Sequence, residues 1–550
     1  MRLIKTFIII CFLVLPSQVL AGKPKLVLQI TVDGLRGDLL HRYGKNFGKG
    51  GFDYLLENGA VFSSAHYLHA NTETVVGHTS LATGATPSVH GMVGNVWYNA
   101  DTGQLGYNIE DPEAPLLPTR TSSTEGAQID PAQLRAGTSG RSPRGILAPT
   151  IADTMLVSIP GTPRVFGVSS KDRSAVAMAG HGGIAYWYST DTGDFQTSSY
   201  YMEAYPQWVK DWNQKRPAEA FSGDQWRLLL DKQDYTLGAQ DDRSYEVDLK
   251  GFGRTFPHNY GEPSHPLFFT RVLVSPAGDK LLVDFAKTLI DEEDIGQSNT
   301  TDYLSVSFSG VDAVNHFFGP SSLENEDTVL QLDRTLADLL RHIDRRVGLE
   351  HTLIVLSADH GMPEMPEYAT EKGLPADRLY ASQVLDIARD YAQKTYGDAL
   401  LVQDFFRPYL YLDPNRLQQH KLDRAEVNEA LAQVLGEIEG VRAAIPSKLA
   451  RSMGESAIAY NHHPRRSGDL YIYPEPYWFL HEKGAVGVMH GSPWKYDQHV
   501  PIIFVGQRIK PGTYSRMVHP IDVAPTLAAL LGISAPAAAQ GSVLREVTER

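Results

Sequence analysis

Short apolar runs rich in β-branched residues recur along the chain, and this repetition constrains the fold more than any other feature. Patterns typical of amphipathic helices lie between the runs. Buried strands that alternate with helices predict an α/β domain built on a doubly wound, mostly parallel sheet with inserted segments. The predicted strands are Lys25–Val32, Arg164–Val168, Asp302–Phe308, Thr352–Leu356 and Val500–Val505.

Carboxylates and imidazoles stand at the ends of these predicted strands or a few residues after them. Such ends are where open α/β sheets bind ligands. Asp312 and His316 are four residues apart, so both point to one side if this segment is helical. Asp33 alone is explained equally well as a helix N-cap, so the set is more informative than any single member. The set is Asp33, Asp312, His316, Asp359, His360 and His490.

Three carboxylates and three imidazoles predict a binding site for zinc or a similar ion. One zinc ion takes four ligands, so six protein ligands suit two ions. Two metal ions about 4 Å apart stabilise both the attacking and the leaving oxygen of an in-line displacement. His462 and His463 adjoin no carboxylate, and we expect them at the surface.

The stretch 69–84 predicts a loop that turns into a helix. Asn71, Thr72 and Glu73 favour a helix N-terminus, because their side chains can accept hydrogen bonds from backbone N–H groups there. Thr74 would then lie at the positive end of the helix dipole, where N–H groups hold an anion. A threonine hydroxyl at that position can attack a phosphoryl centre if metal coordination activates it.

Residues 1–21 predict a cleaved secretory signal, with Arg2 and Lys5 ahead of a short apolar run; an uncleaved anchor is the alternative. No later segment approaches the ~20 apolar residues of a stable membrane span. Without Arg2 and Lys5, 48 basic and 64 acidic residues give a formal charge of −16. This balance argues against nucleic-acid binding. The only cysteine, Cys11, lies in the signal, so we expect a mature chain without disulfides. The signal predicts a periplasmic or secreted protein, which we expect to be a monomer with no stable membrane span.

The catalytic domain is expected to span residues 22–550, which exceeds the usual length of one domain. Accessory inserts are therefore predicted near 100–145, 186–300 and 365–485. The many Trp and Tyr residues of the second insert are expected to pack that insert. The tail after Ser534 is rich in Ala and Pro and is expected to fray.

The order of motifs along the chain resembles that of the alkaline phosphatase superfamily. The motifs are T-V-D-G, T-x-x-G-H-T-S-x-x-T-G, D-x-x-x-H, A-D-H-G and a late H-G-S. The resemblance implies an alkaline phosphatase-like fold over the whole mature chain and two zinc ions per chain. It also implies the ligand sets, which are Asp312, His316 and His490 for one ion and Asp33, Asp359, His360 and Thr74 for the other.

The local sequence at the nucleophile distinguishes subgroups of that superfamily. The segment Thr74–His78 is T-V-V-G-H, which departs from the T-F-P-N-H of phosphodiesterase members. Asn95 and the S-x-K-D-R segment with Lys171 and Arg173 resemble the PafA-type phosphatases, whose equivalent residues contact the phosphoryl oxygens. A monoester dianion has an extra charged oxygen that two cations can bind, and a diester has an ester group there instead.

The resemblance thus implies an exported, zinc-dependent hydrolase of broad specificity for small-molecule phosphate monoesters, acting through a phosphothreonine at Thr74. The first alternative is a nucleotide pyrophosphatase/phosphodiesterase, in which aromatic residues of an insert would stack on a base. The second is a zinc-dependent binding protein without turnover. No G-x-S-x-G motif is present, so a serine nucleophile elbow is not expected.

Overall fold

The computed structural model describes residues 22–99, 103–120, 140–481 and 486–549. The predicted signal at residues 1–21 lies outside these ranges, as does part of the first predicted insert. Within the ranges, no helix has both the length and the apolar character that crossing a bilayer requires.

A nine-stranded mixed sheet forms the centre of the molecule. Five of its strand pairings are parallel and three are antiparallel, which confirms the predicted mostly parallel α/β fold. Numbered along the chain, the strands are β1 Leu26–Val32, β2 Ala60–His66, β3 Val165–Ser169, β4 Ile184–Tyr188, β5 Phe195–Gln196, β6 Asp302–Phe308, β7 Thr352–Ser357, β8 His499–Val505 and β9 Gly512–Tyr514. Their order across the sheet is β9-β2-β8-β7-β1-β6-β3-β4-β5.

The register of four parallel strands brings their C-terminal ends to one edge of the sheet. Thr31 of β1 pairs with Ser307 of β6 and with Ser357 of β7, and Ser307 also pairs with Ser169 of β3. All residues of these strands are buried, as expected for parallel strands covered on both faces. The loops that follow the four strands therefore emerge side by side.

Helices connect the strands of the sheet. The longest, Leu323–Arg346, begins after Ser322, whose hydroxyl accepts a hydrogen bond from the Asn325 N–H at 3.0 Å. Arg345 and Arg346 lie in its last turn, where cations suit the helix dipole. The other α-helices of this part are Leu39–Tyr43, Phe52–Asn58, Thr74–Thr83, Pro87–His90, Ile151–Ser158, Asp172–Ala179, Gln207–Gln214, Phe268–Leu273, Pro276–Glu292, Gly310–Phe318, Pro366–Glu371, Lys495–Gln498, Val523–Leu531 and Arg545–Thr548.

A second sheet lies in the range predicted as the third insert. It is four-stranded and antiparallel, and its buried side chains belong to two hydrophobic clusters that are separate from the main core. Its strands are Val402–Phe406, Tyr409–Leu412, Leu470–Pro474 and Val441–Pro446. The helices of this unit are Ala381–Tyr396, Pro414–Gln419, Arg424–Leu435 and Ser456–Asn461. Shorter strand pairs elsewhere are Val96–Tyr98 with Leu105–Tyr107, Gln225–Trp226 with His258–Asn259, and Arg378–Tyr380 with Phe479–His481.

The central sheet extends into the range that was predicted as the second insert. Trp187 and Tyr188 belong to β4, and β5 pairs with it at the edge of the sheet. Farther along, Trp212 and Trp226 are buried and join the main hydrophobic core. Many aromatic residues of this range therefore pack against the sheet and its helices, in addition to packing one another.

The expectation that the tail after Ser534 frays is wrong. Leu544 and Val547 are each 1 % exposed and belong to the main core. The Gln540 side-chain oxygen also accepts a hydrogen bond from the Thr86 backbone N–H at 2.9 Å. Two buried apolar side chains and this bond hold a segment whose composition alone indicates disorder.

Candidate active site and metal centre

Thr74 is the first residue of the helix Thr74–Thr83, and its side chain is buried. The preceding residue, Glu73, has extended backbone, with φ −108° and ψ 161°, so the chain enters the helix directly at the predicted nucleophile. The helix lies close to the end of β7, because a Cβ atom at Gly77 would come within 1.9 Å of the Asp359 carbonyl oxygen. Glycine at position 77 thus permits the approach of Thr74 to the strand ends.

The predicted helix N-terminus is confirmed, but the expected capping by Glu73 is wrong. The Glu73 carboxylate accepts a hydrogen bond from the Asn95 backbone N–H at 2.5 Å. The Asn95 side-chain oxygen in turn accepts one from the N–H of Val75, in the first turn of the helix, at 3.3 Å. Asn95 therefore supplies the acceptor that the residue before the helix was expected to supply, and it lies next to Thr74.

Asp312, His316 and His490 form the first of two possible metal-binding groups among the described residues. Asp312 lies in the first turn of the helix Gly310–Phe318 and His316 in its last turn. The His316 Nε2 lies 3.2 Å from one Asp312 carboxylate oxygen, and the His490 Nε2 lies 3.5 Å from the other. The predicted convergence of Asp312 and His316 on a helical turn is thereby confirmed.

Asp33, Asp312 and His360 form the second group, so the two groups share Asp312. The His360 Nε2 lies 3.2 Å from an Asp33 oxygen and 3.5 Å from an Asp359 oxygen. The rings of His360 and His490 are stacked with centroids 3.5 Å apart, which joins the two groups into one centre. His462 and His463, expected at the surface, are half-buried and belong to neither group.

The three histidines present the same ring nitrogen to the centre. The Nδ1 atoms of His316, His360 and His490 lie 3.0, 2.9 and 2.6 Å from the carbonyl oxygens of Val488, Gly361 and Thr72. A carbonyl oxygen only accepts, so each Nδ1 carries a hydrogen, and in the neutral form of each ring the Nε2 has the lone pair that a metal ion needs. Metal-ligating histidines are usually held in this way.

Several buried polar atoms of the centre have no hydrogen-bond partner among the described residues. They are one oxygen of each of the carboxylates Asp33, Asp312 and Asp359, together with the His360 Nε2. Burying such atoms without a partner is costly unless a cation binds them. A donor set of carboxylate oxygens and imidazole nitrogens fits divalent cations such as zinc.

The field of the carboxylates favours positive charge at His360. Burial opposes the charged form of His360, yet Asp359 and Asp33 raise its pKa to about 10. Burial and the neighbouring Asp312 likewise oppose ionisation of Asp33, but Lys171 and His360 hold its pKa below the ordinary range. The Lys171 Nζ lies 2.6 Å from an Asp33 oxygen and also contacts Asp312.

The three residues predicted to bind the phosphoryl group all reach the same cleft. The Arg173 Nη2 donates to the Thr74 hydroxyl oxygen at 3.2 Å, and Arg173 is only 7 % exposed. An open cleft is bordered by Asn95, Lys171 and Arg173 and by the metal-centre residues Asp312, His316 and His490. This arrangement can bind a small anion between two cationic side chains and a cluster of metal ligands.

Four contributors to the site were not predicted from the sequence. The Asp172 carboxylate accepts hydrogen bonds from the Arg141 side chain at 2.5 Å and the Tyr107 hydroxyl at 2.6 Å. His78 lies 3.1 Å from an Asp359 oxygen. Asp172 and His78 stand inside the quoted motifs, which is a signal that could have identified them, whereas Arg141 has no local signal.

The family and the individual proteins that resemble this chain match most of its length. The sequence profile of the type I phosphodiesterase / nucleotide pyrophosphatase family matches residues 27–493. A Myroides odoratus protein named calcium-transporting ATPase is 33 % identical over 553 residues, covering 98 % of this chain and 97 % of that protein. Alkaline phosphatase PhoV of Synechococcus elongatus is 31 % identical over 538 residues, covering 96 % of this chain and 93 % of PhoV.

Alkaline phosphatase PafA of Elizabethkingia meningoseptica is similar in both sequence and structure. It is 31 % identical over 541 residues, covering 96 % of this chain and 95 % of PafA. The crystal structure of wild-type PafA superposes with a TM-score of 0.86 at 30 % identity, covering 96 % of this chain and 99 % of that one. A second PafA structure carries substitutions of a threonine, an asparagine, a lysine and an arginine.

Proposed function

This chain belongs to the type I phosphodiesterase / nucleotide pyrophosphatase family and is a phosphatase of the alkaline phosphatase type, and we propose that it is an exported, zinc-dependent phosphate monoesterase of broad specificity. It would take small-molecule phosphate monoesters and release inorganic phosphate through a phosphothreonine at Thr74. Export through the signal at residues 1–21 and a monomeric state are part of the proposal.

The contact between Arg173 and the Thr74 hydroxyl carries this proposal. It places a buried guanidinium at the predicted nucleophile, and Lys171, the residue before the helix that contains Arg173, borders the same cleft. Two cations at a phosphoryl site favour a dianion over a monoanion, because the dianion has one more charged oxygen to bind. A phosphate monoester is such a dianion at neutral pH.

We assign two metal ions to the centre with the ligand sets that the resemblance implies, and the second group that the geometry brings together includes Asp312 and not Asp359. The donors of one ion would be Asp312, His316 and His490, and those of the other Asp33, Asp359, His360 and the Thr74 oxygen. Bound zinc ions would lower the pKa of the Thr74 hydroxyl and stabilise negative charge on the leaving oxygen. The orphaned carboxylate oxygens and the shared histidine orientation support this assignment.

The residues of the chain then have distinct roles in two successive displacements. The Thr74 Oγ1 attacks phosphorus and gives up its proton, and the bond to the ester oxygen breaks, with the electron pair leaving on that oxygen, which takes up a proton from solvent. Asn95, Lys171 and Arg173 hold the non-bridging oxygens, where charge persists in a loose transition state. Water then displaces the Thr74 oxygen from phosphorus, which restores the hydroxyl and releases phosphate.

The substituted PafA structure supports the choice of these residues. In that structure the substituted asparagine follows the substituted threonine at the separation by which Asn95 follows Thr74. The arginine follows the lysine as Arg173 follows Lys171. The same residue types thus recur at the same separations in a relative named alkaline phosphatase.

A nucleotide pyrophosphatase/phosphodiesterase is the second candidate function, favoured by the name of the matching family. Tyr107, Trp187 and Tyr188 do border the cleft. They are 3 %, 2 % and 5 % exposed, so their ring faces are largely covered by protein. A base-stacking platform requires an accessible ring face, and these three residues do not offer one.

The decisive experiment compares an aryl phosphate with the matching methyl aryl phosphate on purified, zinc-loaded protein. We expect a higher kcat/KM for the monoester, two zinc ions per chain by elemental analysis, and turnover that chelation abolishes and zinc restores. A preference for the diester would favour the phosphodiesterase. Binding of zinc without phosphate release from any ester would favour a non-catalytic binding protein.

A further inference from the structure

Arg407 connects the second sheet to the nucleophile loop. It lies between the paired strands Val402–Phe406 and Tyr409–Leu412 and is 15 % exposed. One guanidinium nitrogen, Nη2, donates to a Glu73 carboxylate oxygen at 3.2 Å, and the other, Nη1, donates to the His490 carbonyl oxygen. A residue from the accessory part of the chain thus contacts both the residue before the nucleophile and a predicted metal ligand.

Glu73 connects Arg407 to Asn95, which is predicted to bind the phosphoryl group. Its second carboxylate oxygen accepts the Asn95 N–H at 2.5 Å, and the Asn95 side chain accepts the Val75 N–H. The position of Asn95 relative to Thr74 therefore depends on the orientation of the Glu73 carboxylate.

The charge of Glu73 makes its partner important for an anionic substrate. A carboxylate directly before Thr74 would repel a phosphate dianion at the helix N-terminus. Arg407 neutralises this carboxylate at short range. Its two nitrogens also hold two acceptors in a fixed geometry, which a lysine ammonium cannot reproduce.

Attachment of the second sheet does not by itself require Arg407. The Arg466 Nη1 donates to the Gly91 carbonyl oxygen at 2.6 Å, and the Asn461 side chain donates to the Val93 carbonyl oxygen at 3.1 Å. These bonds already fasten the sheet to the segment before Asn95. Unlike Arg466 and Asn461, Arg407 donates its hydrogen bonds to the residue before the nucleophile, Glu73, and to a predicted metal ligand, His490.

We propose that Arg407 is a positioning residue for the phosphoryl transfer: its pairing with Glu73 orients that carboxylate, and Glu73 in turn holds Asn95 against the nucleophile and the phosphoryl oxygens. The inference rests on the proposed function. It assigns a role in the reaction to a residue of the third predicted insert.

The test is a double-mutant cycle between Arg407→Met and Asn95→Ala, with kcat/KM for an aryl phosphate as the readout. A misplacement of about 1 Å at a reacting group lowers rates on the order of a hundredfold, and we expect a loss of that order for Arg407→Met alone. In the Asn95→Ala background the same substitution should cost no more than a few-fold, because the group it positions is gone. Arg407→Lys should retain an intermediate activity.

Two further variants keep the test decisive if Arg407→Met is unstable. Glu73→Gln retains an acceptor for the Asn95 N–H but removes the charge that Arg407 pairs with, so it should reduce kcat/KM and leave little further loss for Arg407→Lys. Arg424→Met is the matched control, because it removes an ion pair with Asp469, at 3.0 Å, elsewhere in the same insert. The control should keep wild-type kcat/KM, and all variants should keep their zinc content.

The proposal would be overturned if Arg407→Met lowered kcat/KM by the same factor in the wild-type and Asn95→Ala backgrounds. It would also be overturned if Arg407→Met lost zinc, or if the control Arg424→Met lowered kcat/KM as much as Arg407→Met does. An active wild type with such results refutes only the role of Arg407. A wild type that does not cleave the aryl phosphate refutes the proposed function itself.

Discussion

Replacing Arg173 by alanine tests the monoesterase proposal most directly, because its guanidinium contacts the predicted nucleophile. The Nη2 atom lies 3.2 Å from the Thr74 Oγ1 in a site where Arg173 is 7 % exposed. A charge-assisted hydrogen bond to a phosphate oxygen in so dry a site is worth about 1.5–3 kcal/mol. Arg173→Ala should therefore lower kcat/KM for a monoester about ten- to hundredfold, since ~1.4 kcal/mol is a factor of ten.

The diester provides an internal comparison for this loss. A methyl aryl phosphate carries one charged oxygen fewer, so it uses fewer of the contacts that Arg173 and Lys171 offer. The assay is kcat/KM on both substrates for the wild type, Arg173→Ala, Lys171→Ala and Asn95→Ala. Each variant should narrow the monoester-to-diester ratio, and none should lose zinc, because none of the three is a predicted ligand.

The control for overall charge is Arg144→Ala. Arg144 is more than half exposed and pairs with Asp111 and Glu113, so its removal changes the net charge equally without touching Thr74. It should leave both rate constants near the wild-type values. Equal losses on the two substrates for Arg173→Ala, or a matching loss for Arg144→Ala, would refute the assignment of Arg173 to the monoester oxygens.

Two further predictions concern the nucleophile and the stability of the fold. Thr74→Ala should lower turnover by several orders of magnitude and leave zinc content largely intact, while Thr74→Ser retains substantial activity; a near-normal Thr74→Ala beside an inactive Thr72→Ala would contradict the choice of nucleophile. Burial and the neighbouring Glu324 raise the pKa of Glu246, so the native state keeps a proton that the unfolded chain releases. The contribution of this retained proton to the free energy of unfolding is complete below the ordinary glutamate pKa of about 4.3 and is lost as pH rises through the folded-state pKa. Glu246→Gln should therefore flatten the fall of Tm measured between about pH 5 and about pH 9, and an unchanged pH profile would contradict this.

The elements that bring the metal-centre residues together were predictable because they depend on local patterns. Parallel strands read as continuous apolar runs, and their C-terminal ends meet at one edge of a sheet, so Asp33 and Asp359 could be placed together without a structure. The spacing of Asp312 and His316 needed only a helical turn, which the helix Gly310–Phe318 provides. Their roles as zinc ligands remain predictions, because convergence of donors does not identify the ion.

The contacts that orient the nucleophile could not be predicted in the same way. Glu73 and Arg407 are 334 residues apart in the chain, and no local pattern marks either as the partner of the other. The capping expectation failed for this reason, since the Glu73 carboxylate turns away to Asn95 and Arg407. The prediction of a frayed tail after Ser534 failed for a related reason, because the burial of Leu544 and Val547 depends on a surface formed by distant parts of the chain.

The charge balance of the site explains how so acidic a chain can bind a phosphate dianion. The full chain has a formal charge of −14, and its predicted metal centre adds three buried carboxylates near the nucleophile. Arg407 neutralises Glu73, and when His360 is neutral, as a metal ligand must be, Lys171 and Arg173 do not outnumber those three carboxylates and cannot reverse the local sign. Two divalent cations would reverse it, because bound ions are the largest charges in such a site. The metal ions would then supply the attraction for any phosphate ester, and Lys171 and Arg173 would supply the preference for the oxygen that only the monoester has.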